Sequence, residues 1–119
     1  MKIRNGFVSN SSSSSFIIDP KTTTIEKVEE YIEKLVEAHN VLADNKITVS
    51  DICVVYKQRG EQFFEKILKY YNPSTYIIEK YNKCKDIECI VVDSTGDNSI
   101  PWEVQDALES ISIMRQHWG

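Results

Sequence analysis

The residues best suited to chemistry lie in an acidic loop, residues 93–99 (DSTGDNS), between a predicted buried strand and a predicted helix. In an open parallel sheet, ligands bind beyond the carboxyl ends of the strands. Asp19 follows the first predicted strand and Arg59 follows the second, so parallel strands would bring Asp19, Asp93 and Asp97 together. Carboxylates so arranged bind Mg²⁺, and a basic side chain binds phosphate. The pattern would suit a Mg²⁺-dependent phosphoester-hydrolysing or phosphotransfer enzyme. The same residue types also favour an ordinary turn and helix start.

Other catalytic patterns are missing from the sequence. The serine run lacks a Gly-x-Ser-x-Gly elbow, and the four glycines form no phosphate-binding loop. The three cysteines have no Cys-x-x-Cys spacing. Cys53 and Cys89 have apolar, β-branched neighbours and are predicted to be buried, whereas Cys84 lies in a polar stretch and is predicted to be exposed. We therefore predict no cofactor, with Mg²⁺ as the alternative, and the sequence favours a protein that is not an enzyme.

Composition and charge narrow the class of protein. The 119 residues are 41% hydrophobic and 27% charged, which predicts a single domain over residues 1–119. No apolar run approaches the roughly 20 residues that a membrane span needs, and no signal-peptide pattern is present. These features predict a cytoplasmic protein without a membrane partner.

The charge is unevenly distributed along the chain. Residues 46–85 carry eight basic and four acidic side chains, whereas residues 86–119 carry seven acidic and one basic. The net charge of −4 argues against general nucleic-acid binding, which depends on phosphate neutralisation. The basic middle is interleaved with aromatic residues, so a nucleic-acid-binding module with a stacking surface remains an alternative.

Three helices are predicted from apolar periodicity. The first begins at Thr23, with Glu26 completing a capping box, and ends near residues 39–44. The second follows Gly60 and ends at the Asn-Pro pair of residues 72–73. The third opens near Pro101, and its apolar stripe continues to Trp118, which is predicted to pack back on the body of the protein.

Strands are predicted between the helices. Residues 16–18, 52–56 and 87–92 are near-continuous apolar runs, and residues 47–49 and 75–78 are shorter candidates. The alternation predicts an α/β fold, a single compact domain with three helices against a small, partly parallel sheet. The alternative is an α+β fold with an antiparallel pair between residues 76 and 92.

The first fifteen residues form a serine-rich head. Asn5-Gly6 is a two-residue hairpin signal. The five-serine run 11–15 leads directly into an apolar triplet at 16–18, so we expect the serines to be ordered. The predicted contact surface for a partner comprises Phe7, Val8, Ser11, Ser12, Ser13 and Phe16. Alternatively, Phe7, Val8 and Phe16 complete the core.

The sequence of the head also resembles that of a known group of proteins. Residues 2–4 (KIR), 6–8 (GFV) and 9–16 (SNSSSSSF) resemble the N-terminal signature of small proteins of unknown function from bacteriophages, bacteria and archaea. The resemblance covers about the first eighteen residues and implies a phage or mobile-element origin rather than an activity. With no convincing catalytic set, the sequence predicts an accessory protein that acts by protein–protein contacts, as a host-directed effector in the host cytoplasm or as a virion component.

Overall fold

A computed structural model describes residues 13–95 and 100–118 of the chain. Within them, four strands form one sheet: β1 Ser13–Ile18, β2 Cys53–Arg59, β3 Glu88–Ser94 and β4 Met114–Trp118. Five helices connect the strands: α1 Ile25–Leu42, the one-turn α2 Val49–Ile52, α3 Gly60–Tyr70, α4 Thr75–Cys84 and α5 Trp102–Ser110. None of the helices in these two ranges is long and apolar enough to cross a membrane.

The strands lie in the order β2-β3-β1-β4, and every neighbouring pair is antiparallel. Ser15 of β1 pairs with Asp93 of β3, which in turn pairs with Val54 of β2. On the other side of β1, Ser13 pairs with Trp118 of β4. The prediction of a partly parallel α/β sheet is therefore wrong, and the fold is α+β.

The directions of the connected strands explain this correction. Strands β1 and β2, which are joined through α1 and the one-turn α2, run in the same direction, as do β3 and β4, which are joined through α5. Those strands are not neighbours in the sheet. Strands β2 and β3, which are joined through α3 and α4, are neighbours and run in opposite directions. The two directions then alternate across the sheet.

The second helix of that connection lies where the sequence predicted a strand. Residues 75–78 begin α4, and Ser74 caps it by accepting a hydrogen bond from the Ile77 backbone N–H at 3.3 Å. Ile77, Tyr81 and Cys84 pack against the core from this helix. Their spacing of four and three residues is helical, and it prevailed over the strand propensity of Tyr76 and its isoleucine neighbours. The antiparallel pair expected to begin at residue 76 is wrong for the same reason.

Two further strand and helix predictions need correction. The apolar stripe of the third helix was expected to continue to Trp118, but α5 ends at Ser110 and the chain continues as β4. Met114 and Trp118 are four residues apart, and this spacing places side chains on one face of either a helix or a strand. Residues 47–49 form no strand, since Val49 begins α2.

The long helices α1 and α3 form where apolar periodicity predicted them, and each buries one apolar face. The cap of α1 is Thr24, one residue later than predicted, and its hydroxyl accepts from the Lys27 backbone N–H at 3.2 Å. The helix buries Val28, Ile32 and Val36. Helix α3 buries Phe63, Phe64 and Ile67.

The sheet is covered on both faces. Phe16 and Ile18 of β1 pack on one side with α1 and α5. Ile17 packs on the other side with α3 and α4. Because side chains alternate along a strand, Ser14 faces the first layer, and Ser13 and Ser15 face the second. The serine residues at positions 13–15 are thus ordered parts of a central strand.

Candidate functional site

The predicted acidic site does not form as expected. Ile18, which precedes Asp19, pairs with Ile90, so Asp19 and Asp93 lie about four residues apart along β3, or about 13 Å. The carboxyl ends of β1 and β3 are at opposite ends of the sheet because the two strands are antiparallel. The convergence of Asp19 with Asp93 is therefore wrong, and Asp97 lies outside the described residues.

Arg59 is also distant from Asp93. It pairs with Glu88, five residues from Asp93 along β3, and its guanidinium contacts the Glu61 carboxylate at 3.0 Å. Within residues 13–95 and 100–118, no group of three or more His, Cys, Asp or Glu side chains could hold a metal ion. These positions remove the geometric basis of the Mg²⁺ hypothesis for Asp19, Asp93 and Arg59.

The predicted contact surface of the head is described only in part. Phe7, Val8, Ser11 and Ser12 lie outside the described residues. Phe16 is fully buried in the core, and Ser13 is 2% exposed. Phe16 therefore supports the alternative that this residue completes the core.

Asp93 belongs to a different cluster, on the sheet face that packs against α3. The Ser15 hydroxyl donates to Asp93 Oδ1, and the Tyr56 hydroxyl donates to Asp93 Oδ2 at 2.9 Å. The indole Nε1–H of Trp118 donates to Ser15 Oγ at 2.8 Å. These hydrogen bonds join one side chain from each of the four strands. They hold a half-buried carboxylate in one orientation.

A cavity of about 270 Å³ opens next to this cluster. Its strand side is lined by Ser15, Tyr56, Gln58, Asp93 and Trp118. Its helix side is lined by Gln62, Phe63, Glu65 and Lys66 of α3. The lining combines two carboxylates, one ammonium group and two amides, so the cavity offers both hydrogen-bond donors and acceptors.

The opposite face of β1 carries a second polar network. Ser94 Oγ accepts from the Ser14 backbone N–H at 3.0 Å and donates to the Ser14 carbonyl at 3.2 Å. The Ser14 hydroxyl donates to Gln105 Oε1 at 3.3 Å and lies 3.3 Å from His117 Nδ1. Ser14 and Ser94 are at most 1% exposed, so this network satisfies buried polar groups.

The cysteines are all buried. Burial raises the pKa of Cys53 and Cys84 to about 12, and it also raises the pKa of Cys89. The prediction of a buried Cys53 and Cys89 is confirmed. The prediction of an exposed Cys84 is wrong, because the helix that the sequence analysis missed turns this thiol toward β3.

The turn between α3 and α4 exposes a group of apolar side chains. Tyr70, Tyr71, Tyr76 and Ile78 are 62%, 38%, 54% and 38% exposed, and all lie within residues 70–78, which we call the tyrosine turn. The Lys69 ammonium lies 5.5 Å from the centre of the Tyr70 ring, and that of Lys80 lies 5.2 Å from the centre of the Tyr76 ring. At these distances a cation is attracted to the ring face.

Neither the polar cluster nor the tyrosine turn was predicted from the sequence as a candidate site. Ser15, Asp93 and Trp118 are far apart in the chain, and only the antiparallel register aligns them. The tyrosine turn had a local signal, since three tyrosines flank the Asn-Pro pair that ends α3.

The chain was compared with protein-family models, with curated proteins and with solved structures. None of the three comparisons gives a match.

Proposed function

We propose that the chain is an accessory protein of bacteriophage or mobile-element type that binds another protein through the tyrosine turn and performs no catalysis itself. The observation that carries this proposal is the concentration of four exposed apolar side chains within residues 70–78. The protein acts in the host cytoplasm as an effector or in the phage particle as a virion component. The resemblance of about the first eighteen residues to small phage and prokaryotic proteins supports the phage or mobile-element origin.

Exposed aromatic side chains support a contact surface when they are grouped. Single exposed apolar residues are common on protein surfaces, whereas contiguous patches mark interaction sites. Tyrosine is enriched in interfaces, and its rigid ring buries a large area at a small cost in conformational entropy. Tyr70 and Tyr76 are the most exposed rings of the turn, so they are the anchors we expect to enter the partner.

The lysines beside the tyrosines indicate the chemistry of the partner. Lys69 and Lys80 are both held next to exposed rings. A partner with apolar pockets and an acidic rim would complement both the rings and the ammonium groups. Because these charges lie at the rim, added salt should weaken the complex mainly by slowing association.

An affinity capture from nuclease-treated host lysate tests the proposal. The bait is the full chain, compared with a Tyr70→Ser/Tyr76→Ser variant. A Val41→Ser/Leu42→Ser variant is the matched control, because those side chains are 75% and 91% exposed at the end of α1. Surface substitutions of this kind usually change stability by less than about 0.5 kcal/mol, so circular dichroism should show that both variants are folded.

We expect one acidic protein to be captured by the wild-type chain and the control and to be lost from the tyrosine variant. With the purified partner, the tyrosine variant should bind at least about thirtyfold more weakly, as for interface hot spots. A host protein as partner indicates an effector, and a particle protein indicates a virion component. Equal binding by both variants would overturn the proposal. Capture only from lysate without nuclease treatment would favour nucleic-acid binding instead.

A further inference from the structure

We propose that the cavity beside Asp93 binds a small, uncharged, hydroxyl-rich molecule of the monosaccharide class. This binding site is separate from the tyrosine turn and from the protein-contact function proposed above. It rests on three observations: the mixed charges of the cavity wall, two glutamine amides that face it, and a preorganised carboxylate.

The charges of the cavity wall favour a neutral ligand. Asp93 and Glu65 contribute carboxylates, and Lys66 contributes an ammonium group. An anionic ligand would be repelled by the two carboxylates, and a cationic ligand would be repelled by Lys66, which offsets part of its attraction to them. A neutral molecule avoids both penalties, and its hydroxyl groups can donate to the carboxylates and accept from the ammonium group.

Two amides provide further hydrogen-bonding capacity. The side chains of Gln58 on β2 and Gln62 on α3 line the cavity from opposite walls. Neither amide makes a hydrogen bond to another residue within the ranges 13–95 and 100–118. Each amide can donate and accept at once, which matches a hydroxyl group.

The carboxylate of Asp93 is preorganised for such a ligand. Ser15 and Tyr56 each donate to one of its oxygens, and Trp118 fixes Ser15 in turn. A side chain that is already held loses little conformational entropy when a ligand binds. Phe63 and Trp118 supply the apolar part of the wall, against which the C–H groups of a sugar ring can pack.

A titration of the isotope-labelled full chain, followed by NMR, tests the proposal. The probes are glucose, galactose and mannose, with glucosamine and glucuronate as cationic and anionic counterparts of the same ring. We expect saturable shifts of the Gln58 and Gln62 signals with one of the neutral sugars, at a Kd on the order of millimolar because the site is small.

Variants connect the binding to the cavity. Gln58→Ala and Gln62→Ala should each weaken binding about fivefold, the effect of losing one hydrogen bond. Gln116→Ala is the matched control, because Gln116 lies on β4 outside the cavity and its amide donates to the His117 carbonyl. It should leave the affinity unchanged. The proposal is overturned if no neutral sugar gives saturable shifts, if glucosamine or glucuronate binds tighter than all three, or if all three glutamine variants behave alike.

Discussion

Replacing Ser15 with alanine is expected to lower the free energy of unfolding by about 3 kcal/mol. Ser15 is 3% exposed, and its Oγ accepts from the Trp118 indole and donates to the Asp93 carboxylate. Loss of the hydroxyl leaves the indole N–H, in a side chain 5% exposed, without this acceptor, at a cost of about 1–3 kcal/mol. A hydrogen bond to a charged group contributes about 1.5–3 kcal/mol more, but the two effects share one atom and do not add fully.

Thermal and urea unfolding measure this loss. For 119 residues the entropy of unfolding is about 0.25 kcal/mol/K, so 3 kcal/mol corresponds to a Tm about 12 °C lower. The urea m value should stay the same, since the surface exposed on unfolding hardly changes.

Ser13→Ala is the matched control for Ser15→Ala. Ser13 is on the same strand, faces the same side and is 2% exposed. Its Oγ has no hydrogen-bond partner in the part of the chain that the structure describes. Removing an unsatisfied buried hydroxyl relieves its desolvation cost, so this variant should be as stable as the wild type or up to about 1 kcal/mol more stable. Similar losses in both variants, or a loss below about 1 kcal/mol for Ser15→Ala, would refute the assignment of the network.

Two further predictions concern close packing in the protein interior. Gly60→Ala should destabilise the protein by about 3 kcal/mol in urea unfolding, because an added Cβ would lie 1.8 Å from the Cys84 carbonyl oxygen. A small effect would show that α3 and α4 separate easily. The native thiols of Cys53, Cys84 and Cys89 should react slowly with Ellman's reagent at pH 8, because their raised pKa values leave little thiolate. Their rates should rise with pH, and all three thiols should react rapidly in denaturant; a fast native reaction would contradict their burial.

The spacing of apolar residues was sufficient to predict the helices in which it follows a single period. Apolar periodicity predicted α1 and α3, and these helices bury Val28, Ile32, Phe64 and Ile67, because a helical period of 3.6 residues has no competing interpretation there. Where the spacing of apolar residues fits both a helix and a strand, the prediction was wrong. The spacing of Met114 and Trp118 fits both a helix and a strand, and only packing against the neighbouring strand selected β4.

The candidate acidic site failed for a topological reason. Asp19 follows β1 as predicted, whereas Asp93, which was predicted to lie in the loop after the strand, is inside β3. Their convergence required parallel strands, whereas β1 and β3 are antiparallel neighbours in the sheet. The connection between β2 and β3 also contains the helix α4, which was not predicted from the sequence.

The serine run shows that neighbouring residues do not determine the hydrogen bonding of a side chain. Sequence order alone places Ser13, Ser14 and Ser15 next to an apolar triplet, and β-strand alternation assigns Ser13 and Ser15 to one face. Their different hydrogen bonding, with Ser15 joined to Trp118 and Asp93, arises from residues more than seventy positions away. Identical side chains with nearly identical neighbours therefore acquire different roles, because long-range register, and not residue type, determines which polar group lies opposite each hydroxyl.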